Sequence, residues 1–173
     1  MAPSILSRAA LVLLALAFVA VSGALAHGRP PSGPPSGPHP SEDYRRAADL
    51  FKRGQRGEAV YWLYRGQLRY RVHLAARPGL PPDGDPALFA SLSEVVGRPI
   101  NEWAFGDIPA LAGTLGRVLA WHAANDDPFT PKAQFGSAHA QMRAGLEGLR
   151  SQVLAEQDQI RTQRRANGLP NRS

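Results

Sequence analysis

The chain contains no cysteine, and this absence excludes several classes of protein. A chain of 173 residues without Cys has no disulfide framework, no thiolate zinc site and no catalytic thiol. It also has no Cys to which a lipid anchor could be attached. Because the chain is long enough to bury a substantial apolar core, we expect a domain that is stabilised without covalent cross-links.

Long apolar runs are absent except at the start of the chain. Arg8 precedes an unbroken apolar run over residues 9–21, and Ala24 and Ala26 supply the small residues of a cleavage site. This order predicts a secretory signal peptide over residues 1–26. The alternative is a retained membrane anchor, because the uncharged stretch reaches about 18 residues, the lower limit of a spanning helix. We expect the rest of the chain to be periplasmic or secreted, with no further membrane span.

Lysine is nearly absent, since only Lys52 and Lys132 accompany the many arginines. The net charge of +6 would suit a nucleic-acid-binding protein, but export separates the chain from nucleic acid, so we do not expect that partner. Residues 27–77 carry ten basic and four acidic side chains, whereas residues 78–149 carry four basic and eight acidic ones. The basic part either packs on the acidic part or binds an anionic partner.

Large apolar side chains are missing from residues 27–41, which repeat Pro-Pro-Ser-Gly. Such a segment cannot bury enough surface to fold, and its prolines favour extended polyproline II. The sequence therefore predicts a Pro/Gly-rich disordered leader over residues 27–41, outside the core, followed by a helical domain over residues 42–173.

No segment shows the strict alternation of a half-buried strand, whereas apolar residues recur at helical spacing. We predict an all-α fold, a single bundle of about five helices. Ser41, Asp85 and Asp107 are the expected N-caps. The second helix, which is aromatic on every side around residues 60–64, is expected at the centre. The first four predicted helices cover residues 41–53, 58–76, 86–96 and 107–124. The fifth begins between residues 130 and 137 and ends before residue 167.

A turn near the start of the predicted domain has a distinctive pattern. Leu-Phe-Lys-Arg-Gly ends at Gly54, and Ala59, Leu63 and Gly66 follow the turn. Over residues 47–67 this pattern resembles one tetratricopeptide-type helical pair. Leu63 stands where that family has an aromatic residue, and no second copy follows, although such repeats need at least three neighbours. The resemblance implies a packed helical hairpin and a role in protein binding.

The five histidines do not form a metal-binding motif. No two of them are three or four residues apart in the sequence, so we expect no metal and no cofactor. His27 would become the N-terminal residue after cleavage and could bind copper through its amine and ring. However, the flexible leader fixes no further ligand, so we do not predict that site. The histidines are His27, His39, His73, His122 and His139.

The sequence also lacks a Gly-x-Ser-x-Gly elbow and a phosphate-binding glycine loop. Three carboxylates, Glu94, Glu102 and Asp107, lie around a predicted bend next to Trp103. If that bend forms a cleft, the indole could raise the pKa of Glu102 and make it a general acid. A small cell-wall hydrolase that uses Glu102 is therefore one hypothesis.

Four side chains of the second helix, Tyr61, Arg65, Arg69 and His73, are spaced by four residues and share one stripe. Tyr and Arg dominate interface hot spots, and Arg binds carboxylates with two hydrogen bonds. The stripe predicts a site for another protein or an anionic ligand. The alternative is that it pairs internally with the acidic segment 83–107.

The sequence as a whole is best interpreted as an exported helical protein-interaction module with no evident catalytic site. A periplasmic immunity or inhibitor protein, which would block an enzyme by covering its surface, is a related alternative. The cell-wall hydrolase is the alternative of a different class.

Overall fold

The computed structural model describes residues 35–173. The predicted signal peptide, His27 and the first part of the leader lie outside the described residues. Within that range the chain contains no strand, which confirms the all-α class and the helical bundle. No helix within residues 35–173 is long and apolar enough to span a membrane. The elements are α1 (Ser41–Lys52), α2 (Arg56–Ala76), α3 (Asp85–Leu92), a π-helical turn (Ser93–Gly97), α4 (Arg98–Ala104), α5 (Ile108–Ala124), α6 (Lys132–Ala155) and α7 (Gln157–Ala166).

A glycine turn joins α1 to α2, as the sequence predicts. Gly54 has a φ of +77°, which an L side chain rarely adopts. The Gln55 amide donates to the Leu50 carbonyl at 2.9 Å, and the Gly54 amide donates to the Phe51 carbonyl at 3.1 Å. These two bonds form a Schellman ending of α1, so α2 can turn back and pack beside α1.

Helix α2 is the centre of the bundle, which confirms the expectation from its aromatic composition. It packs against α1, α4, α5 and α6. Leu63, Tyr64 and Val72 are fully buried although they lie on different sides of the helix. A surface helix would show one apolar stripe, whereas α2 contributes to the core on several faces.

Gly66 allows α1 to approach α2 closely, and it gives the first testable prediction. A Cβ at this position would lie 2.9 Å from Asp43 Cβ and 3.1 Å from the Tyr44 ring. We expect Gly66→Ala to lower the free energy of unfolding by about 1–3 kcal/mol through overpacking. The matched control is Gly113→Ala on α5, which meets nothing within 4 Å and should gain about 0.5–1 kcal/mol. Urea denaturation measures both, and changes of the same sign would contradict the close approach.

The region after α3 departs from the sequence prediction. We expected the third helix to stop at Gly97 and residues 100–105 to form a short turn. Instead, the chain continues from α3 through the π-helical turn into α4. Pro99 has no amide hydrogen and its ring conflicts with a regular α-helical turn. The π turn, in which the Arg98 amide bonds to the Ser93 carbonyl five residues back, lets the helix continue past the proline.

Helix boundaries elsewhere show which polar residues act as caps. Asp107 caps α5 as predicted, since its carboxylate accepts from the Ala110 amide at 3.0 Å. Ser41 and Asp85 are not N-caps; they are the first residues of α1 and α3, and neither helix has a side-chain cap. Asp85 uses its carboxylate for tertiary contacts instead.

The predicted last helix is divided into α6 and α7 at Glu156. The end of the chain folds back on the domain, because the buried Arg164 donates to the Glu102 carbonyl at 2.8 Å and to the Pro170 carbonyl at 2.7 Å. Arg172 stacks on the Trp103 ring at 3.8 Å. Arg164 of α7 and the residues after the helix therefore contribute to intramolecular packing.

The last residues of the predicted leader lie against the helical domain. The Ser36 hydroxyl donates to the Pro128 carbonyl at 3.1 Å, and the Pro38 carbonyl accepts from Arg69 at 2.6 Å. The His39 ring packs edge-on against Tyr70 and Phe129. This part of the chain thus supplies contacts to the second half of α2.

Candidate functional site

The predicted stripe on α2 divides into an accessible half and a buried half. Tyr61 and Arg65 are partly exposed. Arg69 and His73, one and two turns further on, retain only 4% and 2% of their exposure. A partner can therefore reach the first half of the stripe, whereas the second half faces the interior.

The buried half is organised by an ion-pair network that we call the Arg69 cluster, consisting of Asp43, Arg65, Arg69 and Asp127. Arg69 binds Asp127 with two hydrogen bonds, of 2.9 and 3.0 Å. Its Nη1 also donates to Asp43 at 3.3 Å. Arg65 binds Asp43 with two bonds of 3.0 and 3.2 Å. The cluster holds two cations and two anions, so it is neutral and largely satisfied inside the protein.

The electrostatics of the cluster agree with a structural role. Burial alone would lower the pKa of Arg69, but Asp127 and Asp43 raise it overall. Asp127 further accepts from the Phe129 amide at 3.1 Å and from the Thr130 hydroxyl at 3.2 Å, so it fixes the loop between α5 and α6. The internal pairing that the sequence left as the alternative thus exists for Arg65 and Arg69, but Asp43 and Asp127 lie outside the acidic segment 83–107.

A second group, the histidine cluster of His39, His73 and Asp85, joins the leader, α2 and α3. His73 Nε2 lies 2.7 Å from Asp85 Oδ2, and His39 Nε2 lies 3.2 Å from Asp85 Oδ1. The Tyr70 hydroxyl donates to the same carboxylate at 3.2 Å. Burial lowers the pKa of His73, and the hydrogen bonds around Asp85 lower the pKa of that carboxyl despite its partial burial. A neutral His73 therefore donates to an ionised Asp85.

The three ligand atoms of the histidine cluster lie within 4.8 Å of one another, so they raise the question of a metal. Arg77 can only donate, and its Nη1 lies 2.9 Å from His73 Nδ1. The Ser41 amide likewise donates to His39 Nδ1 at 3.2 Å. Both rings must then carry their proton on Nε2, towards Asp85. Metal-bound histidines usually donate from the other ring nitrogen, so this arrangement fits a hydrogen-bonded cluster rather than a metal site.

The accessible half of the stripe belongs to a surface rich in tryptophan and arginine. The Arg65 guanidinium lies 4.0 Å from the Trp62 ring centroid and 4.6 Å from that of Trp121. Arg46 lies 3.8 Å from the Trp62 centroid. Tyr61 packs edge-on against Trp62, with 5.9 Å between the ring centroids. The Arg117 guanidinium lies 4.7 Å from the Tyr61 ring centroid. We call this the Trp–Arg surface; its members are Arg46, Tyr61, Trp62, Arg65, Arg117 and Trp121.

Sequence reasoning found two members of this surface, Tyr61 and Arg65. It included Trp62 only among the aromatic residues 60–64 at the centre of the helix, and it did not connect Trp121 with this surface. A signal for Trp62 was present, because it lies three residues before Arg65 and such pairs meet on a helix. No local signal links Arg46 or Trp121 to α2, because tertiary packing brings them there.

The three carboxylates around the predicted bend do not form an apolar acid site. Glu94 is half exposed and forms an ion pair with Arg98, Glu102 is exposed, and Asp107 caps α5. We expected the Trp103 ring to shield Glu102. Instead, the Arg172 guanidinium stacks on that ring. A general acid needs apolar surroundings to stay protonated, and this geometry offers Glu102 none.

A buried histidine pair lies at the junction of α5 and α6. His139 Nε2 is 2.6 Å from the Thr130 carbonyl, which can only accept. His139 Nδ1 must then accept from His122 Nε2, 2.9 Å away. His122 Nδ1 is left buried and without a partner. Burial, with Lys132 nearby, lowers the pKa of His122 to about 4, because a second proton would have no acceptor.

This pair predicts a loss of stability in mild acid. The unfolded chain takes up a proton near pH 6.5, whereas folded His122 resists protonation until about pH 4. Stability is therefore full above pH 6.5 and falls as the pH drops to about 4, by about 2–3 kcal/mol. His122→Gln keeps an N–H donor and should lose that part of the slope in urea denaturation between pH 7 and 4. Equal slopes for the two proteins would contradict the assignment.

Comparison with known proteins gives no identification. No protein-family model, no curated protein and no solved structure matches the chain.

Proposed function

We propose that the protein is an exported helical protein-interaction module that binds an acidic partner protein through the Trp–Arg surface. One observation carries the proposal: two partly exposed tryptophans, one tyrosine and three arginines lie together on one face of the bundle. Trp, Tyr and Arg are the residues most enriched in the energetic centres of protein interfaces. The proposed export rests on the first 26 residues of the sequence.

The surface is preorganised for binding. Arg65 is held by Asp43 through two hydrogen bonds, and its guanidinium is stacked between two indole rings. A side chain fixed in this way loses little conformational entropy when a partner binds, which favours affinity. The tryptophans likewise pack on their neighbours and are positioned in advance.

The charge of the surface favours an acidic partner. The surface has three arginines but only two acidic residues paired with them. Asp43 pairs with Arg65, and Glu58 pairs with Arg117 at 2.9 Å. Arg46 and Arg117 are both exposed, so they can approach carboxylates of a partner. Complementary charge of this kind raises the association rate and makes binding sensitive to salt.

The experiment identifies the partner and then tests the surface. A photo-crosslinking amino acid at position 117, incorporated in cells that export the protein, should capture an acidic protein. The same label at Leu154, which is exposed on α6, serves as the control and should not. The captured protein is then purified, and its Kd is measured by calorimetry.

With that purified partner, the double charge reversal Arg46→Glu and Arg117→Glu should weaken binding at least about tenfold, which corresponds to about 1.4 kcal/mol. Both side chains are exposed, so the fold should be retained. Leu154→Ala is the matched surface control and should leave Kd unchanged. Capture of only a second copy of this chain, or an unchanged Kd in the charge-reversed variant, would contradict the proposed function.

An inhibitor or immunity protein is one form of this function, because it also acts by covering another protein. In that form the captured partner would be an enzyme, and its activity would fall as the complex forms. The same charge reversal should then restore the activity of the enzyme.

A further inference from the structure

The Ser41 hydroxyl bonds to a histidine of the leader instead of capping its own helix. Ser41 is the first residue of α1, and that helix has no side-chain cap. Its Oγ lies 2.7 Å from His39 Nδ1, and its amide donates to the same nitrogen at 3.2 Å. Since an amide can only donate, Nδ1 carries no proton, and the hydroxyl is the donor in the 2.7 Å contact. Ser41 therefore faces a ring nitrogen that is able to take its proton.

The other nitrogen of the His39 ring faces a carboxylate. Nε2, which carries the ring proton, lies 3.2 Å from Asp85 Oδ1. The Tyr70 hydroxyl donates to the same oxygen at 3.2 Å, and His73 Nε2 lies 2.7 Å from Asp85 Oδ2. The negative charge of Asp85 stabilises the imidazolium that forms when His39 takes up a proton. Ser41, His39 and Asp85 thus stand in the order of nucleophile, base and carboxylate.

Packing of the leader holds the His39 ring in place. The ring packs edge-on against Tyr70 and Phe129, with 5.4 and 4.9 Å between the ring centroids. Gly37 has a φ of +86°, and a Cβ there would lie 2.7 Å from the Pro128 ring. The leader thus lies too close to the loop between α5 and α6 for a side chain at position 37. A base that is positioned in advance in this way needs little reorganisation during a reaction.

The arrangement has the features that nucleophilic catalysis by serine needs. Ser-His-Asp triads occur on unrelated folds and are recognised by geometry and roles rather than by sequence position. His39 presents Nδ1 to the serine and Nε2 to the carboxylate, and either ring nitrogen can accept or donate a proton. Ser41 stands at the N-terminus of a 12-residue helix, whose partial positive charge favours an oxyanion. Both His39 and Ser41 are partly exposed, so a small acyl group has access to the hydroxyl.

We propose that Ser41, His39 and Asp85 form a hydrolytic triad that cleaves esters of small carboxylic acids. Ser41 Oγ bonds to the ester carbonyl carbon while its proton moves to His39 Nδ1. The bond from that carbon to the alcohol oxygen then breaks, and the alcohol leaves with the proton. Water, deprotonated by His39, attacks the acyl group on Ser41, which releases the carboxylic acid and restores the hydroxyl. This activity uses residues outside the Trp–Arg surface and does not depend on the proposed protein partner.

Hydrolysis of p-nitrophenyl acetate by the full mature chain tests the triad, with diisopropyl fluorophosphate as a covalent probe. The wild type should release p-nitrophenolate faster than buffer alone. The probe should add to Ser41, as located by mass spectrometry, and stop the hydrolysis. Ser41→Ala should lower the rate at least about a hundredfold and take up no probe. The variant should fold, because the hydroxyl does not cap α1. Ser91→Ala, at an exposed serine on α3, is the matched control and should behave as the wild type does.

His39→Phe keeps an aromatic ring against Tyr70 and Phe129 but removes the base, so it should lower the rate at least about tenfold. This variant also replaces Ser41→Ala if the latter fails to fold. Asp85→Asn tests the positioning carboxylate and should lower kcat at least about tenfold at an unchanged KM. Equal hydrolysis by Ser41→Ala would mean that a histidine acts without the serine, and would overturn the proposal. No hydrolysis by the wild type, a probe adduct on another residue, or full activity of His39→Phe or of folded Asp85→Asn would overturn it as well.

Discussion

Arg69→Met is expected to lower the free energy of unfolding by about 3–5 kcal/mol, because it leaves buried charge without a partner. Arg69 and Asp127 are each 4% exposed, and Asp43 beside them is equally buried. Asp127 would lose two hydrogen bonds, and the Pro38 carbonyl would lose its donor. Guanidinium chloride denaturation with circular dichroism measures the change.

Arg117→Met is the matched control for that variant. Arg117 also forms an ion pair, with Glu58 at 2.9 Å, but both side chains are about half exposed. Exposed pairs contribute about 0–1 kcal/mol, so this variant should change stability little. Equal losses in the two variants would mean that Arg69 is more accessible to solvent than the structure indicates.

Asp85→Ala is expected to cost about 2–4 kcal/mol, because each buried donor left without a partner costs about 1–3 kcal/mol. The variant removes the acceptor of the Tyr70 hydroxyl and of His73 Nε2. Both residues are nearly inaccessible to solvent. Thermal or urea unfolding at pH 7.5 gives the difference, and at that pH His73, whose pKa burial lowers, is neutral.

Asp83→Ala, two residues earlier in the loop before α3 and exposed, is the matched control and should change stability by less than about 0.5 kcal/mol. Adding zinc to the wild type distinguishes the two interpretations of the histidine cluster. A hydrogen-bonded cluster predicts the same midpoint with and without zinc. A zinc-dependent rise in the wild type that Asp85→Ala abolishes would identify a metal site and contradict the tautomer argument.

The sequence was sufficient to predict the class of fold and the central helix. Gly54 indicated the turn, and the aromatic residues around Tyr64 indicated burial on every side of α2. Both signals are local, because they depend on spacing within one helix or one turn. The continuation past Pro99 was missed, since a π turn depends on how the neighbouring elements hold the chain rather than on a residue pattern.

The candidate site was harder to predict because its partners are distant in sequence. Arg69 pairs with Asp127, 58 residues away, and no spacing rule indicates that contact. The spacing of four placed the stripe residues in sequence along α2, but periodicity does not show how far an interhelical contact covers them. The leader offered no apolar residue to indicate packing, yet its His39 reaches Asp85 through polar contacts.

The central claim is that the second half of the α2 stripe is internal structure, so that only the first half is available to a partner. A double-mutant cycle between Arg69→Met and Asp127→Asn tests it most directly. The account predicts a coupling free energy of at least about 2 kcal/mol, as expected for side chains in one buried network. Additivity within about 0.3–0.5 kcal/mol, the behaviour of distant and independent sites, would contradict it.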